Sequence, residues 1–263
     1  MKILVTVSET SEVDDDFEIA GTSIDERYLT KELNEWDEYA IEEAVQISEE
    51  DDDVEVVTAT IGPDSAEETI RQALAKGADR GIRLWDGALE DASVLDPAAK
   101  ARIVAELVRE EDPDLVLTGV QSGDFSFGAT GVQLAEQLDF EWGAVVNQLD
   151  LDRDAGTASV HRELEGGVEE LTDIELPAVL TIQTGINEPR YASLRGIRQA
   201  QNKPLDEMDL SDVGLDESNL ELTMELTDLY EPESEGEAEI FEGSADETAG
   251  KLADLLEEKG VGA

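Results

Sequence analysis

The fold is decided by VEVVTATIGPDSAEETIRQALAKGADRGIRL, which occupies residues 54–84. It begins with Val54–Ile61, an apolar and mostly β-branched run that is typical of a buried strand. A second short apolar run at Arg80–Leu84 predicts another strand. The residues between the two runs have the apolar spacing of a helix, so the stretch predicts a βαβ unit with parallel strands.

The helix of this unit has recognisable ends. Ser65 followed by Glu68 is a capping-box pattern, which predicts the first turn, and Gly77 is a typical residue at a helix C-terminus. Between these ends the apolar side chains fall on one face: Ile70, Ala73 and Leu74.

The same alternation extends in both directions along the chain. Asn34 can cap a further helix, with Asp37 at its third position, after an acidic, loop-like insertion that ends near Leu33. Other predicted elements are strands at Ile3–Val7, Asp114–Thr118 and Ala178–Ile182, helices at Pro97–Glu110 and Val132–Leu138, and a hairpin of Thr157–Leu164 with Val168–Ile174 joined at Gly166-Gly167. We therefore predict an α/β fold with a mostly parallel, Rossmann-like sheet flanked by helices.

Two domains are expected. Residues 1–204 form an α/β nucleotide-binding-like domain, and residues 205–263 form an extended C-terminal arm that wraps a partner subunit. The arm contains a stretch rich in Pro, Glu and Gly at Glu231–Glu237 and ends in a helix at Ala245–Lys259.

Charge is the strongest feature of the composition. The chain has 67 Asp and Glu against 18 Lys and Arg, a net charge of −49, while 40% of its residues are hydrophobic, which is enough for a packed core. Such a surface repels nucleic acid and anionic membranes. Because the carboxylates are distributed along the chain, we interpret them as typical of a salt-accumulating halophile; an acidic protein with a basic partner would concentrate them in one block.

Other residue types restrict the chemistry further. The chain has no Cys and one His, so a Cys-ligated metal site is excluded and a Ser-His-Asp triad is hard to build. No apolar run has the length of a membrane span, and Met1 leads directly into a strand without a signal peptide. We expect a cytoplasmic protein with no direct membrane insertion.

One window departs from the general acidity. Pro189–Pro204 contains no Asp or Glu but has four cations, namely Arg190, Arg195, Arg198 and Lys203. Either a function or burial of a helix would explain such a window.

A glycine-rich loop follows the predicted strand at Asp114–Thr118. In a parallel sheet, ligands bind beyond the carboxyl ends of strands, where loop and helix N–H groups can hold an anion. The loop is neither a Walker loop nor a G-x-G-x-x-G motif, and an ordinary connector is the alternative. Its candidate ligand-binding residues are Gly119, Gln121, Ser122, Asp124, Gly128, Ala129 and Thr130.

The most specific segment is 160–203. It contains VHRELEGG from Val160, LPAV from Leu176 and INEPRY from Ile186, followed by Leu194. This segment resembles the β subunit of electron transfer flavoproteins, whose pattern runs V-x-R-E-x-x-G-G, L-P-A-V, L-N-E-P-R-Y-x-x-L, and the resemblance extends over essentially the whole chain. It implies a sheet of the adenine-nucleotide α-hydrolase type.

The resemblance also implies a role. The protein would be an electron carrier subunit rather than an enzyme, and would pair with an α subunit that holds most of the FAD. The pair would carry electrons from flavin dehydrogenases, including those of fatty acid oxidation, to a membrane quinone oxidoreductase. Glu163 matches a carboxylate that pairs with an Arg of the α subunit; a solvated strand residue is the alternative.

A docking site is implied at the acid-free window. Leu194 matches a leucine that docks into partner dehydrogenases, with Tyr191, Arg195 and Arg198 beside it. The alternative is that Leu194 and Ile197 form the core face of a helix that begins near Ser193.

The family's β subunit also binds AMP, or a second FAD in electron-bifurcating members. The motif there is G-K-Q-x-x-D-x-D-x-x-Q-x-G, in which Val120, Ser126 and Ala129 replace Lys, Asp and Gln in this chain. AMP is therefore expected to bind mainly through backbone groups, and bifurcation is unsupported. The remaining matching positions are Thr6, Asn34, Glu35, Trp36, Asp37 and Ile61. A stand-alone adenine-nucleotide-binding stress or sensor protein without flavin shares the sheet and is the alternative function.

Overall fold

The computed structural model describes residues 1–90, 92, 94–231 and 240–260. The chain divides into two compact units, Met1–Asp228 and Leu229–Ala263. In chain order the elements are β1 (Lys2–Thr6), β2 (Glu9–Val13), β3 (Ile19–Ala20), β4 (Ser23–Ile24), β5 (Leu29–Leu33), α1 (Glu35–Glu50), β6 (Glu55–Ile61), α2 (Glu67–Lys76), β7 (Arg80–Leu84), α3 (Pro97–Glu111), β8 (Leu115–Gly119), α4 (Thr130–Leu138), β9 (Glu141–Asp152), β10 (Thr157–Leu164), β11 (Val168–Glu175), β12 (Ala178–Ile182), α5 (Leu194–Ala200), β13 (Leu205–Met208) and α6 (Ala245–Glu258).

The first unit is built on a nine-stranded sheet with the order β11-β10-β9-β12-β8-β1-β6-β7-β13. Seven neighbouring strands of the sheet run parallel, namely β9, β12, β8, β1, β6, β7 and β13. Strand β10 is antiparallel to both of its neighbours, β9 and β11. The predicted α/β class, the mostly parallel sheet and the antiparallel hairpin are confirmed.

Helices cover both faces of the sheet. Along β1 the side chains alternate, so that Ile3 and Val5 join a core with α1 and α2, and Leu4 joins a second core with α3 and α4. The helices change from one face of the sheet to the other between β7 and β8. Strands β6 and β7 lie on one side of β1, and β8 lies on its other side. The strand order therefore reverses between β1 and β8, where α/β sheets bind ligands.

The predicted capping box at Ser65 and Glu68 is wrong. Residues Asp64–Ala66 form a 3₁₀ turn, and α2 begins at Glu67 without a side-chain cap. The physical reason is that the Ala66 N–H donates to the Pro63 carbonyl, which tightens the entry into the helix. The C-terminal prediction is confirmed, since Gly77 ends α2 with φ 145°.

The acidic insertion before α1 is not a loop. Strands β2 and β5 form an antiparallel pair, and β3 pairs with β4. Lys31 Nζ donates to Ser11 Oγ at 2.9 Å across the first pair. Strand β9 was also not predicted, because its 12 residues combine an apolar run at 142–146 with an alternation of polar and apolar residues at 148–152, and neither part alone indicates a strand of this length.

The first unit continues past the predicted boundary at residue 204. Strand β13 pairs with β7 at the sheet edge, and Asp96 accepts bonds from the Thr223 N–H at 2.5 Å and the Met224 N–H at 3.2 Å. Residues 205–228 therefore belong with the sheet. That the C-terminal residues wrap a partner stays a prediction.

The second unit contains α6, which agrees with the helix predicted there, and Ser244 and Glu247 form a capping box at its start. Residues 232–237 of the predicted Pro, Glu and Gly stretch lie outside the described residues. Among the helices that the structure describes, none combines the length and the apolar character needed to cross a membrane.

Asp96 provides a test of how the first unit is held together. It also accepts from the Ala99 N–H at 2.9 Å, which caps α3, and from Thr223 Oγ1 at 2.9 Å. We expect Asp96→Ala to lower the free energy of unfolding by about 2–4 kcal/mol, because several backbone donors lose a charged acceptor. Asp86→Ala removes a comparable cap at Ala88 alone and should cost about 1 kcal/mol. Equal losses in urea unfolding of the two variants would contradict this assignment.

Candidate functional site

A cleft lies at the carboxyl ends of β1, β6 and β8, at the point where the strand order reverses. Its volume is about 120 Å³, well above the roughly 10–15 Å³ that one water needs. Most of the residues predicted for nucleotide binding line this cleft: Thr6, Asn34, Asp37, Ile61, Gly119, Gln121, Ser122, Gly128, Ala129 and Thr130.

Three predicted residues do not line the cleft. Glu35 and Asp124 are exposed. The Trp36 indole N–H donates to Gln183 Oε1 at 3.3 Å, so its polar atom already has a partner.

Asn34 and Asp37 connect the loops that form the cleft. Asn34 Nδ2 donates to the Gln121 carbonyl at 2.9 Å, and the Gly123 N–H donates to Asn34 Oδ1 at 3.2 Å. Asp37 accepts from the Ser8 N–H at 2.7 Å and the Gly119 N–H at 3.0 Å. The start of α1 is therefore tied to the loops after both β1 and β8.

This arrangement corrects the predicted cap. Asn34 occupies the N-cap position of α1, but its side chain makes no capping hydrogen bond to its own helix. The physical reason is that both the nitrogen and the oxygen of its side-chain amide form hydrogen bonds with the glycine-rich loop.

Asp37 has an unusual pKa. Its side chain is buried, and this loss of solvation raises the pKa to about 6, against the opposing effect of the hydrogen bonds from Ser8, Asn34 and Gly119. A carboxylate with such a pKa is still mostly ionised at pH 7.

Two glycines allow the backbone to come close to its neighbours. A Cβ at Gly119 would lie 2.5 Å from Asp37 Oδ1 and 2.7 Å from Trp36 Cβ. A Cβ at Gly131 would lie 2.6 Å from Thr118 Oγ1. Larger residues would therefore displace the loop and the first turn of α4.

Helix α4 begins at the cleft without a side-chain cap. Its N-cap residue is Ala129, which lines the cleft together with Thr130 and has no acceptor to offer to the first-turn N–H groups. Such donors and the helix dipole favour an anion.

Sequence reasoning missed several residues of the cleft, two of which carry polar side chains that matter here. Ser8 lines it beside Asp37, and Lys100 reaches it from α3. No local pattern marks either position, because only the packing of α3 on the sheet brings Lys100 to the ends of β1 and β8.

The acid-free window forms a second surface. Its helix α5 is capped by Ser193, which accepts from the Gly196 N–H at 3.0 Å. The prediction of a helix here is confirmed, but Leu194 and Ile197 are not its core face. Leu194 is 79% exposed and Tyr191 98% exposed, whereas Ala200 is the residue that enters the core.

The four cations of the window fall into two groups. Arg190 pairs with Glu42 at 2.8 Å and Glu49 at 2.6 Å, and Lys203 Nζ donates to the Ala78 carbonyl at 2.6 Å near the end of α2. The side chains of Arg195 and Arg198 have no hydrogen bond or ion pair with the described residues, and both are exposed.

Glu163 lies exposed on β10, directly opposite Glu169 of β11. Glu169 is 3.3 Å from His161 Nε2, whereas Glu163 has no ion pair among the described residues. Glu163 and Val145 line one depression of the surface, and Val145 has φ 62°, which is strained for a β-branched residue.

Comparisons with known proteins bear on the whole chain. The sequence-family model of the electron transfer flavoprotein domain matches residues 21–213. The chain is 44% identical over 264 residues to the electron transfer flavoprotein subunit beta of Methylophilus methylotrophus, covering 98% of each chain. It is 31% identical to the subunit beta of Bacillus subtilis strain 168, covering 97% of each, and 41% identical to that of Homo sapiens, covering 70% of this chain and 71% of the human one.

The pKa of Asp37 has a measurable consequence. Because the pKa is higher in the folded protein than in the unfolded chain, the folded state holds an extra proton between about pH 4 and 6, and stability falls as the pH rises through this range. Between pH 5 and 7 the wild type should lose roughly 1 kcal/mol that Asp37→Asn does not lose. Urea unfolding at both pH values measures the difference, with the exposed Glu35→Gln as the charge control. The same pH dependence in wild type and Asp37→Asn would refute the assignment.

Proposed function

This chain belongs to the electron transfer flavoprotein β-subunit family, and on that premise we propose that it carries electrons, with an FAD-holding α subunit, from flavin dehydrogenases to a membrane quinone oxidoreductase. The observation that carries the proposal is the exposed apolar surface around Leu194, which lies in the acid-free part of a strongly acidic chain. FAD supplies the redox chemistry when it is bound. The residues of this chain position the partners.

The surface around Leu194 suits a transient complex. Burying one leucine side chain contributes about 1.5–3 kcal/mol, enough for an anchor that still permits fast release. Arg195 and Arg198 flank it without intramolecular partners among the described residues, and they would steer acidic dehydrogenase surfaces towards it. Tyr191, almost fully exposed, adds an aromatic contact.

The docking segment is held in place before any partner arrives. Arg190 is clamped by Glu42 and Glu49, and Asn187 Nδ2 donates to the Tyr39 carbonyl at 3.1 Å. Because the segment is ordered in advance, docking loses less conformational entropy.

Contact with the α subunit is proposed at Glu163. Two carboxylates directly opposite each other on paired strands repel, and Glu169 already has His161 as a neighbour. An Arg from the α subunit would neutralise Glu163 and relieve this repulsion.

The cleft between β1 and β8 is proposed to bind AMP. The uncapped N-terminus of α4 beside the cleft fits a phosphate held mainly by N–H groups. The ionised Asp37 is already occupied by the Ser8 and Gly119 N–H groups, so its negative charge is partly compensated within the protein.

Habitat and compartment are also proposals. A net charge of −49 distributed over the surface is suited to a cytoplasm with high salt, where strong screening reduces the mutual repulsion of the carboxylates.

Co-expression with the α subunit tests the function. We expect a yellow heterodimer whose absorption spectrum is that of bound FAD and which releases AMP when it is denatured, as measured by mass spectrometry. A colourless, stable homodimer that releases an adenine nucleotide would contradict the electron-transfer role and favour the stand-alone sensor. A yellow heterodimer without AMP would contradict the nucleotide site alone.

Docking is tested by Leu194→Ala. Loss of the anchor should slow reduction of the heterodimer by a flavin dehydrogenase about tenfold, because roughly 1.5 kcal/mol of contact is lost. FAD content should not change. Leu171→Ala is the matched control, since Leu171 is also 79% exposed but lies on β11. Equal transfer rates for wild type and Leu194→Ala in stopped-flow measurements would reject the docking site.

A further inference from the structure

We propose that Lys100 binds the phosphate of the ligand in the cleft between β1 and β8. Among the described residues that line this cleft, Lys100 is the one cationic side chain. It lies in the first turn of α3, and Val104, one turn later, lines the cleft as well. The lysine is therefore held at the cleft by a helix that is packed on the sheet.

Lys100 has no partner within the described part of the protein. Neither a hydrogen bond nor an ion pair involves its Nζ, although the chain has 67 carboxylates for 18 Lys and Arg. Most other cations are paired, including the partly buried Lys2, Lys76 and Arg80. A lysine that lines a cleft with no partner is available to a ligand.

The two acidic side chains of the cleft, Glu9 and Asp37, do not pair with Lys100. Glu9 Oε2 accepts from Thr69 Oγ1 at 3.1 Å, and Glu9 Oε1 lies 3.9 Å from Lys31 Nζ. Asp37 is occupied by backbone N–H groups. Both carboxylates thus have neighbours of their own, and the charge of Lys100 remains uncompensated.

Positive and negative side chains therefore lie at different sides of the cleft. The start of α3 with Lys100 and the start of α4 with Thr130 lie on one face of the sheet, whereas Asp37 belongs to α1 on the other face. A phosphate is favoured at the α3 and α4 side.

This inference rests on the proposed nucleotide site and adds a specificity to it. If Lys100 binds the phosphate, the cleft selects a nucleoside monophosphate over the nucleoside, because adenosine has no group to pair with the ammonium.

The test is calorimetric binding to the nucleotide-stripped heterodimer, with AMP, adenosine and inorganic phosphate as the probes. We expect Lys100→Gln to weaken the binding of both AMP and inorganic phosphate by roughly tenfold, with adenosine affinity unchanged. Lys100→Arg keeps the charge and should retain most of the AMP affinity. Lys259→Gln removes a lysine from the second unit that likewise lacks a partner among the described residues, and should leave all three affinities unchanged.

The outcomes separate the inference from the function on which it rests. Unchanged AMP affinity in Lys100→Gln, or an equal loss for AMP and adenosine, would overturn the role of Lys100 while the nucleotide site stands. A wild-type heterodimer that binds neither AMP nor adenosine would overturn the nucleotide site and this inference with it. Circular dichroism of each variant identifies a loss of fold. If Lys100→Gln does not fold, Lys100→Ala takes its place, since alanine is a good helix former and the same selective loss of AMP and phosphate binding is expected.

Discussion

Two side chains at the N-terminal end of α1 hold the functional end of the sheet together. Asn34 and Asp37 bind backbone groups of the loops after β1 and β8, the two neighbouring strands between which the strand order reverses. Gly119 must be a glycine because Asp37 approaches it so closely. The shape of the cleft, and the uncapped start of α4 beside it, follow from this connection.

The price of the connection is a buried carboxylate. Burial raises the pKa of Asp37 to about 6, and backbone N–H groups compensate for only part of the lost solvation. Residues that combine buried charge with a ligand cleft are common at functional sites, although structural networks also perturb pKa values. In this protein the carboxylate shapes the site, and the cation available to a ligand is Lys100 on the opposite wall.

Cations in this chain divide by what they contact. Arg190 and Lys203 hold the acid-free segment against α1 and α2, whereas Arg195, Arg198 and Lys100 have no partners among the described residues. Because the chain has 67 Asp and Glu against 18 Lys and Arg, a cation without a carboxylate partner is unexpected. The unpaired cations of the first unit lie on the two surfaces that we assign to ligand and partner.

Local patterns predicted much of the secondary structure and failed at identifiable points. Apolar periodicity located β6, α2 and β7, since a buried face must repeat with the period of its element. The capping box at Ser65 failed because the Pro63 carbonyl took the Ala66 N–H. Strand β9 was missed because its pattern changes from an apolar run at 142–146 to an alternation at 148–152, and its pairing with β10 and β12 is a tertiary property.

The amino-acid sequence by itself determined the α/β class, the family resemblance and most of the residues that line the cleft, since these depend on local periodicity and on short motifs. Only the tertiary structure decided what those residues contact. Asn34 meets Gln121 across 87 positions of the chain, and Lys100 reaches the cleft because α3 packs beside α4. It also decided that Leu194 points to solvent while Ala200 is buried, because burial depends on which neighbours α5 meets and its own spacing fits either face.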